Sequence, residues 1–242
     1  MPVLSTLGAA TAKAWGFLQQ VAAAADPYFN YVTMLLTGNG TNGAQNNTFL
    51  DSSTNAFSIT RNGNTTQGSF SPYGSLWSNY FNGSSYFTNS STSISNFGTS
   101  NYTIEFWVNT TSSSTKQIYY DSRSTSNGSN GIFCGIANSG STVFMGNSNS
   151  VTINGTISLS SGVWYHVAFV RSGTGSNQCA IYVNGVLDSN YTDSYNYSAS
   201  QNTIGGVAYT PQGANPALGY LSNFRINKSA VYSGAFTPST TP

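Results

Sequence analysis

The chain has 242 residues, of which seven are Lys or Arg and six are Asp or Glu, so only 5% are charged and the formal net charge is +1. Ordinary soluble domains carry about 25% charged residues. The scarcity of Lys and Arg excludes nucleic-acid binding driven by the release of counterions from phosphates. Hydrophobic residues make up 38% and aromatic residues 14%, which is enough for a packed core, so we expect a folded domain rather than a disordered chain.

The N-terminal segment differs in composition from the rest of the chain. Residues 1–25 are rich in Ala, and a lysine and two adjacent glutamines interrupt their apolar run. These interruptions argue against a signal peptide and against a membrane span, which needs about 20 apolar residues. We predict that residues 1–30 form a short helical or extended arm, docked either on its own β-domain or, as we favour, on a neighbouring subunit. The predicted anchoring residues are Leu4, Leu7, Trp15, Phe17 and Leu18.

From Tyr31 onward the chain consists of short alternating segments separated by Gly, Asn and Ser, such as "YTIEFWVNTT", "QIYYDSR" and "CAIYVNGVL". A period of two with β-branched and aromatic residues is typical of half-buried antiparallel strands. Asn-Gly pairs at 62–63, 154–155 and 184–185 predict hairpin turns. Because no helical pattern longer than a turn or two follows residue 30, we predict an all-β fold, a jelly-roll sandwich of two antiparallel sheets over residues 31–242.

Two strands are predicted to lie at the centre of this sandwich. In "WYHVAFV", alternation places His166 on one face and Val167 and Phe169 on the other. Both faces of this strand are fairly apolar, which is typical of a strand covered on both sides. In "TIEFWV", alternation places Phe106 opposite Glu105.

The two cysteines, Cys134 and Cys179, leave two interpretations open. They could form a disulfide between strands, or they could be two small buried hydrophobic residues. We favour the second, because one pair in a chain of this size is not a disulfide framework. There is no CxxC motif or Cys/His cluster, so a zinc site is not expected.

Five segments in order carry a resemblance to a known family: "YTIEFWVNTT", "WYHVAFVR", "AIYVNGVL", "NTIGG" and "GYLSNFRI". Together they resemble laminin-G-like, concanavalin A-like lectin-glucanase domains, of the type found in phage virion proteins and bacterial surface proteins. The closing "SAVYSGAFTPSTTP" is similar to the phage version. The resemblance covers residues 31–242. It implies a concanavalin A-like sandwich and a role in binding or display rather than in chemistry.

No enzyme of this fold is predicted. Glycoside hydrolysis needs two carboxylates that flank the scissile bond, and the family's hydrolytic members carry a Glu-x-Asp-x-x-Glu strand that is absent here. The one glutamate, Glu105, is expected to pair with Arg171 or Arg225. The one histidine, His166, has no Gly-x-Ser-x-Gly nucleophile to serve, so we expect a packing role for it.

Two binding sites follow from the resemblance and from the loops. Many laminin-G-like domains bind Ca²⁺ at one rim of the sandwich, and Asp51 is the best candidate ligand here, with Asp121 and Asp188 as further acids. The polar segment "DSNYTDSYNYSASQ" suits sugar stacking or a subunit contact through exposed tyrosines. Its candidate carbohydrate-binding residues are Tyr191, Tyr195, Asn196 and Tyr197.

These observations favour a non-enzymatic structural protein of a phage virion. The expected location is the virion surface, as decoration of the capsid or tail, with weak adhesion to host surface glycans. The expected partners are other virion proteins, copies of the same chain and host glycans, without nucleic acid or a membrane span. The alternatives are a dedicated receptor-binding lectin of a tail fibre and a secreted bacterial adhesin module.

Overall fold

The structure, a computed structural model, describes residues 26–38, 49–74, 78–126, 130–137, 141–147, 150–209 and 211–239, with only the main chain at 150–152. Within these ranges the helical content is limited to two 3₁₀ turns, Phe29–Tyr31 and Thr92–Ile94. None of the described helical segments has the length and apolarity needed to cross a membrane. The arm residues Leu4, Leu7, Trp15, Phe17 and Leu18 lie outside the described ranges.

The described residues form two antiparallel sheets, one of eight strands and one of seven, which confirms the predicted all-β sandwich. In chain order the strands are β1 (Val32–Leu36), β2 (Thr60–Asn62), β3 (Thr66–Gly68), β4 (Ser78–Asn82), β5 (Tyr86–Asn89), β6 (Tyr102–Thr110), β7 (Gln117–Asp121), β8 (Ile132–Ile136), β9 (Thr142–Asn147), β10 (Ser150–Ser158), β11 (Tyr165–Arg171), β12 (Cys179–Val183), β13 (Val186–Tyr191), β14 (Asn202–Ile204) and β15 (Leu218–Asn227).

The eight-stranded sheet has the order β13-β12-β11-β6-β15-β4-β3. β1 pairs with the C-terminal half of β15, and β4 pairs with its N-terminal half. The seven-stranded sheet has the order β10-β9-β8-β7-β14-β5-β2. Neighbouring strands that are far apart in sequence, such as β6 and β15, give the fold its jelly-roll character.

β6 and β11 lie side by side in the middle of the eight-stranded sheet, as the alternation predicts. Phe106, Val167 and Phe169 point into the core between the sheets. The opposite face of β11 is also covered, because Ala168 packs in a second apolar cluster that includes the C-terminal segment. The long, largely buried pattern of β11 therefore reflects cover on both faces.

The three Asn-Gly pairs have different roles. Asn184 and Gly185 have φ values of 50° and 76° and form the tight turn between β12 and β13, as predicted. Asn62 and Gly63 lead from β2 to β3, which belong to different sheets, so this turn does not close a hairpin. The pair at 154–155 lies inside β10, and the hairpin prediction there was wrong.

Gly155 is explained by the close approach of a side chain from the other sheet. A Cβ at this position would lie 2.0 Å from Oδ2 of Asp188. The Asp188 carboxylate, on β13, accepts hydrogen bonds from the backbone N–H groups of Thr156 and Ile157 on β10. One carboxylate therefore joins the edge strands of the two sheets, and Gly leaves room for it.

The C-terminal segment lies on the outer face of the eight-stranded sheet. The Tyr232 and Phe236 rings stack with centroids 3.5 Å apart and pack against Tyr182. The backbone N–H of Phe236 donates to the carbonyl of Gly185 at 2.9 Å. Residues 230–236 therefore form part of the fold and cover β11 and β12.

Both cysteines are free and buried, so the apolar interpretation was right. Cys134 lies on β8 of one sheet and Cys179 on β12 of the other. Burial raises the pKa of both thiols, that of Cys179 to about 12.

Replacing Gly185 by Ala is expected to loosen the C-terminal segment. The new Cβ would lie 1.8 Å from the carbonyl oxygen of Phe236, in addition to the strain of a positive φ. Gly162→Ala is the matched control, because Gly162 has a φ of 79° and a Cβ added there would meet no atom within 4 Å. Backbone strain alone should lower the free energy of unfolding by about 1 kcal/mol in both variants. The clash with Phe236 should lower that of Gly185→Ala by at least about 1 kcal/mol more. Urea unfolding measures the difference, and equal losses would contradict the docking described above.

Candidate functional site

The loop that follows β13 is built around a buried cation, Arg171. Its guanidinium is fully buried and donates to the carbonyl oxygens of Gly98, Ser100 and Tyr195 at 2.7–2.9 Å. It also lies 5.1 Å from the centroid of the Tyr197 ring. Carbonyl dipoles and aromatic faces offset the loss of hydration of the charge. Arg171 thereby fixes the course of residues 193–198.

This arrangement overturns part of the predicted sugar site. Tyr197 is fully buried and its hydroxyl donates to Asp193, while Tyr191 is 7% exposed and its hydroxyl contacts the sulfur of Met145. Neither ring can stack on a ligand, so the prediction of exposed tyrosines was wrong for these two. Tyr195 is partly buried and Asn196 is exposed. A role of Tyr195 and Asn196 in sugar binding stays a prediction.

Asp51 caps a loop instead of facing a cation. Its Oδ1 accepts from the N–H groups of Leu35 and Ser53 at 2.9 and 3.0 Å. Its Oδ2 accepts from the Ser53 hydroxyl and from the N–H of Phe57 at 2.8 and 3.0 Å. Hydrogen atoms therefore point at the carboxylate from four sides, which does not fit Ca²⁺ coordination. Across the described ranges, no group of three or more His, Cys, Asp or Glu is placed to hold a metal ion.

Asp121 and Asp188 are similarly engaged. Asp121 forms a buried pair with Arg123 at 2.8 Å and accepts the N–H of Ala208. Asp188 holds the edge of β10 through Thr156, as described above. The acids that the calcium hypothesis needed are thus bound to donors of the protein itself.

Glu105 is a structural carboxylate on the outer face of the eight-stranded sheet. The hydroxyl of Tyr232 donates to its Oε2 at 2.7 Å, and Nε2 of His166 lies 3.4 Å from the same atom. Its second oxygen lies 3.7 Å from Nε of Arg225, which also pairs with Asp26. The predicted partner Arg225 is confirmed, and Arg171 lies elsewhere.

The electrostatics of Glu105 are unlike those of a catalytic acid. Burial alone would raise its pKa, but His166, the charge of Arg225 and the Tyr232 hydroxyl together lower it. A general acid of a glycosidase has a raised pKa. His166 in turn packs edge-on against Trp107 and Phe236, which fits the expected packing role.

An open groove of about 410 Å³ lies on the outer face of the seven-stranded sheet. Two of its lining residues, Thr60 of β2 and Thr88 of β5, are directly paired across the strands. The groove, referred to below as the threonine groove, is lined by Phe57, Ser58, Thr60, Thr88, Asn89, Ser90, Ser91, Gln201, Asn202 and Gln212.

The amides of the threonine groove are held in place by hydrogen bonds. Asn89 donates to the carbonyl of Ser58 at 2.8 Å and accepts from the N–H of Ser91 at 2.7 Å. Asn202 donates to the carbonyl of Ser91 at 2.7 Å and accepts from the Tyr120 hydroxyl at 2.6 Å. The groove therefore offers preorganised amides and hydroxyls. None of its lining residues is charged.

No pattern in the sequence marks this groove. Its residues come from segments between positions 57 and 212, and Asn, Ser and Thr are common throughout the chain. The threonine groove replaces the loop of Tyr191 and Tyr197 as the candidate site.

Two packed antiparallel sheets of this strand order define a lectin/glucanase-like fold. The family model Laminin_G_3, described as "Concanavalin A-like lectin/glucanases superfamily", matches residues 81–235. The chain belongs to this family. It matches none of the curated proteins with which it was compared.

Several solved structures share the fold at low sequence identity. Domain 4 of AbnA, an extracellular arabinanase of Geobacillus stearothermophilus solved with arabinotriose, is 19% identical with a TM-score of 0.62, covering 83% of this chain and 94% of that domain. The binding domain of Paraclostridial Mosquitocidal Protein 1 is 12% identical with a TM-score of 0.62, covering 84% of this chain. A structure of botulinum neurotoxin type C, whose cell entry depends on interaction with two ganglioside molecules, is 14% identical with a TM-score of 0.56, covering 84% of this chain. The chain spans about half the length of the two toxin structures, 50% and 49%.

Glu105→Gln is expected to lower the free energy of unfolding by about 3 kcal/mol at neutral pH, because it leaves Arg225 and His166 without the buried charge. The pKa of Glu105 is lowered in the folded state. The stability that ionised Glu105 contributes is therefore fully present above the pKa of an unfolded glutamate, about 4.3. It is lost as the pH falls through the lower pKa of the folded state. The difference between the two proteins should shrink in acid, as measured by urea unfolding between neutral pH and about pH 3.

Tyr232→Phe is the control for that experiment, because it removes one hydrogen bond and keeps the carboxylate. It should cost about 1.5 kcal/mol at neutral pH. A Glu105→Gln effect that does not change with pH would contradict the ionised, paired state of Glu105.

Proposed function

We propose that this chain is a non-enzymatic glycan-binding module of a phage virion surface, and that the threonine groove holds an uncharged glycan. The groove itself is the observation that carries the proposal. Sugar hydroxyls both donate and accept hydrogen bonds, and the hydroxyls of Thr60 and Thr88 and the amide of Gln212 do the same. The Phe57 ring adds an apolar wall for the C–H face of a sugar.

The volume and charge of the groove define the ligand class. A cavity of about 410 Å³ is of the size that small ligands occupy. None of its lining residues is a cation. Sialylated and other acidic glycans would therefore find no charge partner, so the ligand is a short stretch of neutral sugar.

Similar folds support the binding role. The AbnA domain was solved with arabinotriose, and the botulinum neurotoxin type C entry into cells depends on gangliosides. These proteins are related to this chain by fold alone, and so they support glycan recognition as a class without defining the sugar.

The virion location rests on the sequence. The closing segment "SAVYSGAFTPSTTP" resembles phage virion proteins, and the low charge suits a chain packed beside copies of itself. We place the module on the capsid or tail, with residues 1–25 as the anchor to another virion protein or to a copy of the chain.

Thr60→Val combined with Gln212→Leu should abolish most of the binding to neutral glycans, because both changes keep the shape of the groove and remove hydrogen-bonding groups. We expect affinity to fall about tenfold or more, since each hydrogen bond contributes about 1 kcal/mol. A glycan array identifies the ligand, and calorimetry compares the variants. Thr174→Val is the matched control, because Thr174 is exposed in the loop between β11 and β12. Equal binding by the double variant and the control would overturn the groove assignment.

Deleting residues 1–25 should abolish incorporation of the chain into particles and leave glycan binding by the remaining domain unchanged. The physical reason is that the anchoring side chains and the groove belong to separate parts of the chain. Incorporation is measured by detecting the chain in purified virions, with full-length protein as the control. Normal incorporation of the truncated chain would contradict the anchoring role.

A further inference from the structure

A second row of side chains crosses the outer face of the other sheet. Tyr80 of β4 pairs with Tyr220 of β15, and Tyr220 pairs with Asn109 of β6. Trp164 immediately precedes β11, one residue beyond the Tyr165–Val108 pair, and so continues the row beside Asn109. These four residues, the aromatic row, place three rings and one amide in register across four strands.

Residues 69–74, which follow β3, lie over this row. The Phe70 ring is 4.8 Å from the ring of Tyr220 and 5.5 Å from that of Trp164, by centroids. Three residues later, the Tyr73 ring lies 6.1 Å from that of Trp107. Phe70 nevertheless stays 49% exposed. Residues 69–74, the covering loop, thus place one aromatic ring on the row and another beside it.

Polar atoms beneath the covering loop lack hydrogen-bond partners. Nδ2 of Asn109 and Nε1 of Trp164 are both shielded from solvent and unpaired, and Asn109 is only 1% exposed. Nδ1 of His166, two residues beyond Trp164, is in the same state. Buried polar groups are normally paired, and leaving them unpaired destabilises the folded state. Their concentration on one sheet face therefore needs an explanation.

Phe70 contacts the row through its ring, and the Tyr73 ring lies beside Trp107. Within the part of the chain that the structure describes, no backbone hydrogen bond joins residues 70–74 to β6, β11 or β15. The hydroxyl of Ser78 donates to the carbonyl of Phe70, and Ser71 and Gly74 bridge to each other within the loop. Displacing residues 70–74 therefore breaks no backbone hydrogen bond to β6, β11 or β15.

We infer that the aromatic row is a second, covered binding site for one sugar ring of a neutral glycan, with residues 69–74 as its lid. When Phe70 lifts, the sugar ring takes its place between Tyr220 and Trp164. The unpaired N–H groups of Asn109 and Trp164 then donate to sugar hydroxyls, which pairs the atoms that the closed loop leaves unpaired.

The chemistry of the row sets the ligand class. No side chain of the row is charged, and the nearby Glu105 and Arg225 are paired with each other. An acidic sugar would therefore meet no free cation there. The row lies on the opposite sheet from the threonine groove, so the inference is independent of that site.

Phe70→Ala tests the lid, because it removes the ring that competes with the ligand. We expect about tenfold tighter binding of a neutral trisaccharide, since a larger fraction of molecules is competent to bind. The experiment uses the Thr60→Val, Gln212→Leu background, so that the threonine groove does not contribute. Arabinotriose, maltotriose, cellotriose and chitotriose are titrated by calorimetry and tryptophan fluorescence, with 3′-sialyllactose as the charged comparison. Phe29→Ala is the control, because Phe29 is 37% exposed and lies in the 3₁₀ turn before β1, outside the row.

Asn109→Leu supplies a second readout that does not depend on opening the lid. Leucine keeps the approximate shape of the Asn109 side chain and removes its unpaired N–H donor. The substitution should therefore raise the urea midpoint of the protein with the lid closed. Combined with Phe70→Ala, it should abolish the gain in trisaccharide binding. Failure of Phe70→Ala to bind any of the four neutral trisaccharides would show that the loop is a fixed part of the fold and would overturn the inference. Binding of sialyllactose alone, or a lower midpoint for Asn109→Leu, would overturn it as well. Loss of binding at the threonine groove leaves these outcomes unaffected, so the two proposals can fail separately.

Discussion

The structure depends on how few charges the chain has and on where they are used. Each of its six carboxylates is engaged with donors of the protein itself: Asp26 and Glu105 with Arg225, Asp51 with a loop, Asp121 with Arg123, Asp188 with the edge of β10, and Asp193 with Tyr197. Each carboxylate therefore has a donor partner within the described part of the chain. Apart from a few cations such as Lys116 and Lys228, hydroxyls, amides and rings supply much of the described surface, which suits recognition of neutral, hydroxyl-rich ligands.

The core of the fold could be predicted because its signal is local. Alternation along β6 and β11 places Phe106 and Val167 in the core whatever their neighbours are, and the Asn184-Gly185 turn is specified by two adjacent residues. The Asn154-Gly155 pair led to a wrong hairpin prediction, because the glycine is explained by a contact with a residue of the other sheet. There Gly155 leaves space for the Asp188 carboxylate, a contact that no local pattern records.

The candidate binding surfaces could not be predicted because the residues that form them are distant in sequence. The tyrosines after β13 looked exposed, but Arg171 gathers them with carbonyls some 70 residues earlier, 71 for Ser100 and 73 for Gly98. The threonine groove likewise joins segments from Phe57 to Gln212, and its residue types are too common in this chain to mark a site. Composition predicted the kind of surface, uncharged and polar, and the topology decides which part of it forms a groove.

The two buried thiols have a practical consequence. Cys134 and Cys179 are the only cysteines in the chain, and both are enclosed with raised pKa values, so little thiolate is present at neutral pH. A single cysteine introduced at an exposed position such as Thr174 would then be the dominant target of a maleimide dye. Site-specific labelling for imaging or distance measurements therefore requires no removal of native residues and leaves the packing of β8 and β12 intact.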